Sequence, residues 1–251
     1  MTDVLSPVPY LNIPGWYHLV GFGLITPLSA WCSRRQVVDT ARPMPSRLLH
    51  MRSTAFTLVL FGGVSALVAM RQHIELFAAR RPSMLALAAG LFMYVLAVTL
   101  MRPRWRKAVQ KRARIVHLFM PQTTQERRWW IAVALLAGVS EEITWRGVQT
   151  PLAAAVVGSF WAGAVLSAAS FGAGHLVQGM RSARVIVLFA LGFQGLVWLS
   201  GSLYVAMAVH IAYDITAGLT YGKLARDLGY DLASTSPAPA GDAEAGSLRG
   251  K

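Results

Sequence analysis

The chain alternates long apolar blocks with short polar connectors. Seven apolar stretches can be recognised, at about 16–32, 53–70, 83–101, 129–149, 152–175, 185–200 and 202–221. Each is close to the ~17–25 residues that an α-helix needs to cross a bilayer. The pattern predicts an all-α polytopic membrane helix bundle with about seven transmembrane helices, eight being the alternative count.

The composition supports this prediction and excludes other classes of protein. Of the 251 residues, 55% are hydrophobic and only 14% are charged, whereas a soluble domain carries about 25% charged residues. A soluble globular enzyme and a disordered chain are therefore excluded. The single cysteine, Cys32, cannot form an internal disulfide bond, so the fold must be held by helix packing in lipid.

The basic residues predict how the bundle is oriented. With seven spans, most of the 24 Lys and Arg residues fall in connectors on one face, and the opposite face has only Arg71, Arg80 and Arg81. The positive-inside rule then places the N-terminus outside and the C-terminus in the cytoplasm of a cell (inner) membrane. We expect the basic connectors to lie against the lipid bilayer, and we expect no nucleic-acid partner.

Six ionisable residues interrupt the apolar second half of the chain. Outside the 176–184 connector, the ionisable residues between 129 and 221 are Glu141, Glu142, Arg146, His175, His210 and Asp214. Each costs about 2.5–3.5 kcal/mol at the centre of a membrane helix, so such residues usually face one another inside the bundle and serve a function. The other histidines, His18, His50, His73 and His117, lie near span ends, where we expect them to be interfacial.

The spacing of these residues suggests how they are arranged. Glu142 and Arg146 are four residues apart, so they can pair on one helix face. His210 and Asp214 have the same separation, and Asp214 could hold the imidazole in one tautomer. A structural interpretation remains open for the Glu142–Arg146 pair, which could only join helices, and His175 could be a helix–helix hydrogen bond.

Several intramembrane chemistries do not fit. The His-Glu-x-x-His helix of zinc proteases is absent. Tyr213-Asp214 lacks a second aspartate in the spans, which a paired-carboxylate protease would need. Ser200-Gly201-Ser202 falls in a predicted loop and lacks the Gly-x-Ser-Gly form.

Three motifs in order resemble the CPBP family, the CAAX prenyl endopeptidase and bacteriocin-processing group also called Abi. They are Glu141-Glu142-x-x-x-Arg146, Phe171-x-x-x-His175 and His210-x-x-x-Asp214. The likeness covers about 129–221. We therefore divide the chain into N-terminal transmembrane helices with basic connectors (1–128), a CPBP-like catalytic core (129–221) and a disordered cytoplasmic tail (222–251).

The resemblance implies an intramembrane endopeptidase that acts on a membrane-associated peptide or protein. Glu141 matches the catalytic glutamate and His175 the histidine that helps to activate water. His210 matches the histidine on the oxyanion side, and Asp214 stands where the family has Asn or Asp. Glu142, Arg146 and Phe171 match supporting positions of the first two motifs.

Two questions stay open at this stage. The family is described both as metalloproteases and as metal-free glutamic endopeptidases. We favour no cofactor, because no compact pair such as His-x-x-x-His appears; if zinc is bound, Glu141, His175 and His210 are the expected ligands.

The alternative function is a non-catalytic membrane protein of the same fold, that is, a carrier, immunity or scaffold factor. No internal symmetry favours a carrier.

Overall fold

A computed structural model describes residues 10–39, 43–77 and 81–231. These residues form an all-helical bundle, and no strand occurs among them, which confirms the all-α prediction. The last helix continues to Asp227, so the first residues of the predicted disordered tail are helical. Residues 232–251 of that tail lie outside the described residues.

Nine α-helices, two π-helical segments and two short 3-10 turns make up the described part of the chain. Their bounds are α1 Ile13–Val20, a π-turn Gly21–Ile25, α2 Thr26–Val38, α3 Arg47–Gln72, α4 Met84–Gln110, a 3-10 turn Arg114–Phe119, α5 Thr124–Glu141, a π-segment Glu142–Gln149, α6 Thr150–Val157, α7 Phe160–Gly174, a 3-10 turn Leu176–Gln178, α8 Met180–Ser200 and α9 Tyr204–Asp227.

Three of these helices, α3, α4 and α8, are long and apolar enough to cross a membrane. A fourth apolar helix, α7, has only 15 residues. Exposed apolar side chains cover much of α4, as is expected of a helix that faces lipid. The structure thus supports a membrane protein, and the number of seven crossings stays a prediction.

The predicted boundary between the fourth and fifth apolar stretches, at 149–152, is wrong. The chain stays helical from 124 to 157 and turns only at Gly158, whose φ of +72° is left-handed. Proline lacks an N–H and normally disrupts a helix interior, and the chain carries Pro151 at this point. Here it lies at the start of α6, directly after the π-segment, where the pattern of backbone hydrogen bonds has already changed.

Close contact between α5 and α9 brings the two halves of the polar cluster together. A Cβ atom at Gly138 of α5 would overlap the side chain of Ile211 in α9. One turn further along α9, the indole Nε1 of Trp130 donates a hydrogen bond of 2.8 Å to the carbonyl oxygen of Asp214. A Cβ atom at Gly218 would overlap this same indole. Small residues at these positions allow the backbones to approach, and this holds the polar turn of α9 against α5.

The beginning of α5 is fixed by a separate polar cluster. Thr123 and Glu126 form a capping box, and the Glu126 carboxylate also pairs with Arg47 of α3 at 3.0 Å. Burial would raise the pKa of Glu126, but hydrogen bonds from backbone N–H groups and the charge of Arg47 together hold it below its ordinary value. His117 is buried beside Arg47, and burial and that positive charge both lower its pKa.

Candidate active site

The site is built on the π-segment Glu142–Gln149, in which all eight residues are buried. A π-turn leaves backbone carbonyl groups without their usual i+4 partners, and such turns are frequent at functional sites. The carbonyl oxygen of Trp145 accepts hydrogen bonds from Thr150 Oγ1 and from Ser167 Oγ, both at 2.9 Å. Hydroxyl groups from α6 and α7 therefore satisfy the altered turn.

Glu142 is the central residue of the cluster. Its Oε1 lies 2.8 Å from Nδ1 of His210 and 3.2 Å from Nη1 of Arg146, and its side chain has no exposed surface. The predicted pair of Glu142 and Arg146 is thus confirmed, and it is joined to α9 through the imidazole. The sequence suggested Asp214 as the residue that orients His210, but in the structure this contact is made by Glu142.

Aromatic rings enclose the Arg146 guanidinium. Its Cζ lies 4.5 Å from the centre of the Phe171 ring and 5.3 Å from that of Phe193. Phe193 also stacks on the His210 ring, with centroids 5.3 Å apart. Among the described residues, neither Nη atom of Arg146 has a hydrogen-bond partner, so cation–π contacts and the Glu142 charge stabilise this buried cation.

The other ring nitrogen of His210 faces two carboxylates. Nε2 lies 3.7 Å from Oε2 of Glu141 and 3.6 Å from Oδ2 of Asp214. These distances are too long for direct hydrogen bonds. The side chains of Glu141 and Asp214 are 16% and 27% exposed, whereas that of Glu142 is 0% exposed. The Nε2 side is therefore the accessible side of the cluster, where a water molecule or substrate group could lie between the three side chains.

His175 approaches the cluster from α7. It is half-buried and follows directly after the last residue of α7, Gly174. Its Nδ1 lies 2.8 Å from the carbonyl oxygen of Phe171, so Nδ1–H donates to this carbonyl in the neutral ring. The Nε2 atom then carries the lone pair. His175 lies within electrostatic range of Asp214, but no direct hydrogen bond or ion pair to Glu141 occurs within the described part of the chain.

The described residues include no group of three or more His, Cys, Asp or Glu side chains placed to hold a metal ion. The expected ligands for zinc, Glu141, His175 and His210, therefore do not converge as a ligand set would. Zinc sites bring nitrogen and oxygen ligands to about 2.0–2.2 Å from the ion. Because Nδ1 of His210 contacts Glu142, only its Nε2 could serve as a ligand.

Sequence reasoning missed two buried residues, one beside the site and one in the bundle interior. Phe193 gave no signal, because one phenylalanine in an apolar stretch is unremarkable. His18 was expected at the interface, but it is only 2% exposed and lies in the bundle interior. Its position inside the first apolar stretch was a usable signal, since a polar side chain there needs a buried partner.

A comparison with protein families agrees with this geometry. Residues 123–216 match the family model described as Type II CAAX prenyl endopeptidase Rce1-like. The match confirms the resemblance drawn from the three motifs, and all of the candidate site residues lie within it. No curated protein and no solved structure matches the chain significantly. The match indicates a protease of the CAAX type, with a peptide or protein substrate and a lipid environment.

Proposed function

We propose that this protein is an intramembrane endopeptidase that hydrolyses a peptide bond of a membrane-associated peptide or protein. The observation that carries the proposal is the placement of His210. One ring nitrogen contacts the buried Glu142, and the other faces the two accessible carboxylates of Glu141 and Asp214. A ring held in this way can act on a reacting atom on its Nε2 side.

Glu141 is the general base in this proposal. It is partly exposed, and unlike Glu142 it makes no ion pair with an arginine of the described residues. Its carboxylate takes a proton from a water molecule, and the hydroxide attacks the carbonyl carbon of the scissile peptide. When the tetrahedral intermediate collapses, Glu141 gives this proton to the leaving amine. Proton transfer by a positioned side chain contributes about 10²–10⁴-fold to a rate.

His210 donates to the oxyanion. Because its Nδ1–H is committed to Glu142, the hydrogen bond to the oxyanion must come from Nε2–H, and the ring acts as an imidazolium. The Glu142–Arg146 pair fixes the direction in which this N–H points. A donor placed in advance where negative charge develops is usually the largest electrostatic contribution to catalysis.

His175 and Asp214 position the water and the imidazolium. With Nδ1–H of His175 bound to the Phe171 carbonyl, its Nε2 can accept a hydrogen bond from the attacking water. An ionised Asp214 can only accept, so it stabilises the imidazolium of His210 and does not donate to the oxyanion. This division of roles uses every motif residue without a metal, and we propose that the site is metal-free.

Terminal proteomics of cell membranes tests the proposal, because it detects cleavage of any membrane protein without a chosen substrate. Cells would carry the native chain, Glu141→Ala or, as a matched control, Glu75→Ala, which removes an exposed carboxylate outside the site. New peptide termini should appear with the native chain and with Glu75→Ala, and should be lost with Glu141→Ala. Identical termini in all three would overturn the proposal and favour the non-catalytic alternative.

A further inference from the structure

We propose that His18 of α1 is a positioning residue for the candidate active site. It lies more than a hundred residues before Glu141 in the chain and outside the segment 123–216 that matches the family model. The inference rests on the proposed function. Two independent sets of contacts lead from this histidine to the site, one through polar groups and one through aromatic rings.

The polar set joins α1 and α3 to the π-segment. Nε2 of His18 lies 3.0 Å from Oγ of Ser65, and that hydroxyl lies 2.9 Å from Oγ1 of Thr144. The Thr144 hydroxyl in turn donates to the carbonyl oxygen of Ser140 at 2.7 Å. Ser140 and Thr144 lie on either side of Glu141 and Glu142. These contacts therefore hold the backbone before Glu141 and the side chain that follows Glu142 by two residues.

The second ring nitrogen of His18 contacts the far end of the same segment. Nδ1 lies 2.9 Å from Oε1 of Gln149, whose amide nitrogen lies 3.4 Å from the carbonyl oxygen of Leu19. One imidazole is thus linked to both ends of the π-segment, directly to Gln149 and through Ser65 to Thr144. We call His18, Ser65, Thr144 and Gln149 the His18 polar chain. All four side chains are buried.

The aromatic set leads from α1 to His175. The His18 ring packs on Phe22 at 4.5 Å between centroids, and Phe22 packs edge-on against Trp145 at 5.4 Å. Trp145 contacts Phe171 at 5.1 Å, and Phe171 contacts His175 at 4.6 Å. The N-terminal helix therefore supports both the carboxylates and the histidine that orients water.

Loss of the imidazole would leave polar groups without partners around a turn that is already unusual. A buried hydroxyl or amide that loses its partner costs about 1–3 kcal/mol, and the π-segment can lower this cost by shifting towards an α-helix. Such a shift would rotate Glu141 and Glu142 relative to His210. A misplacement of about 1 Å can lower a rate by about 100-fold.

The test compares His18→Leu, which removes the polar contacts, with His18→Gln, which restores a polar group towards Ser65. His50→Leu serves as the matched histidine control, since His50 lies at the start of α3 and contacts none of the His18 polar chain. The full chain in proteoliposomes would be given a farnesylated peptide with a C-terminal CAAX sequence. We expect His18→Leu to lower kcat about 10- to 100-fold with KM little changed and to lower Tm by a few degrees. We expect His18→Gln to recover part of kcat, and His50→Leu to resemble the native chain.

Two further measurements separate positioning from a loss of structure. In His18→Leu/Thr144→Val, the loss in kcat should be smaller than the product of the two single losses, because both variants interrupt one chain of contacts. The ¹H NMR signal of the His210 Nδ1–H, assigned by its loss in His210→Gln, should shift in His18→Leu and stay in place in His50→Leu.

The outcomes also separate this inference from the proposed function. Unchanged kcat and an unchanged His210 signal in His18→Leu would overturn the positioning role. The positioning role would also be overturned if kcat fell in proportion to Tm and if His18→Gln did not restore kcat. If the native chain does not cleave the peptide, the proposed function fails for that substrate, and the His210 signal alone then decides whether His18 positions the site.

Discussion

Nδ1 of His210 lies 2.8 Å from Oε1 of Glu142, although 68 residues separate them in the chain. This contact joins the π-segment to α9. It also gives a buried carboxylate two partners, because the same oxygen lies 3.2 Å from Arg146. Orientation of His210 and neutralisation of Arg146 thus depend on one oxygen atom, and these two roles can be separated by mutation.

Glu142→Gln should lower stability and activity together. The amide leaves Arg146 as a buried cation without a counter-charge, which typically costs 3–5 kcal/mol, as a rough guide. In Glu142→Gln/Arg146→Met the unpaired cation is absent, so most of this stability should return. Activity should stay at least about 100-fold low, because Nδ1 of His210 no longer has a carboxylate partner. Thermal unfolding and peptide cleavage in the same proteoliposomes would measure both effects, and recovery of activity by the double variant would contradict the assigned role of Glu142.

Gly218→Ala should destabilise the contact between α5 and α9. Its methyl group would overlap the indole of Trp130, which donates to the carbonyl of Asp214. Overpacking of this kind costs about 1–3 kcal/mol. Gly63→Ala is the matched control, since no atom of the described residues lies within 4 Å of its added Cβ, and it should be neutral or slightly stabilising. Equal Tm values for the two variants would show that this close approach is not required.

Glu126 should make stability depend on pH at the start of α5. Its folded pKa lies below the ordinary value of 4.5, so its stabilising effect is present above pH 4.5 and is lost as the pH falls through the folded value. Glu126→Gln should therefore lower the free energy of unfolding at pH 7 by about 1–2 kcal/mol. The variant should unfold at a lower temperature than the native chain. The difference in stability between the variant and the native chain should narrow below pH 4.5. A difference that stays constant from pH 7 to pH 3 would argue against a charge-dependent cap.

Cys32 can report the orientation of the first span. It is exposed and lies two residues before Arg34, at the end that the positive-inside rule assigns to the cytoplasm. A membrane-impermeant thiol reagent should label it in inside-out vesicles and not in intact cells. Cys32→Ser provides the background. Labelling in intact cells alone would reverse the predicted topology.

A metal-free site predicts resistance to chelators. Cleavage by the native protein should continue in EDTA and in 1,10-phenanthroline, and zinc should not be needed to restore it. A zinc-dependent protease assayed in parallel would verify that the chelators act. Loss of cleavage that added zinc reverses would contradict the metal-free site.

The sequence predicted the residues of the cluster better than their contacts. Glu142 and Arg146 could be paired from their spacing because both lie on one helix. The contact between Glu142 and His210 depends on the packing of α5 against α9, which Gly138 permits but does not specify. The same limit explains why Asp214, four residues from His210, was given the role that Glu142 has in the structure.

The helices followed from hydrophobicity, and their irregular turns did not. The residue types of the π-segment do not distinguish it from a regular helix, and the boundary predicted at 149–152 lies where the helix continues. The burial of His18 also could not be predicted from its position in the sequence. Its place near a span end suggested an interfacial side chain, whereas the tertiary structure supplies partners from α3 and from the π-segment.

The π-segment makes the site sensitive to the number of residues as well as to their kind. A π-turn contains one residue more than an α-turn, so the side chains after 149 are rotated relative to those before 142. The first half of this long helix packs on α3 and α9, and the second half packs on α7. Removal of one residue within 142–149 would allow a regular α-turn with both halves still against their neighbours. It would nevertheless displace the side chains inside the segment, so the site could be lost while the bundle is kept.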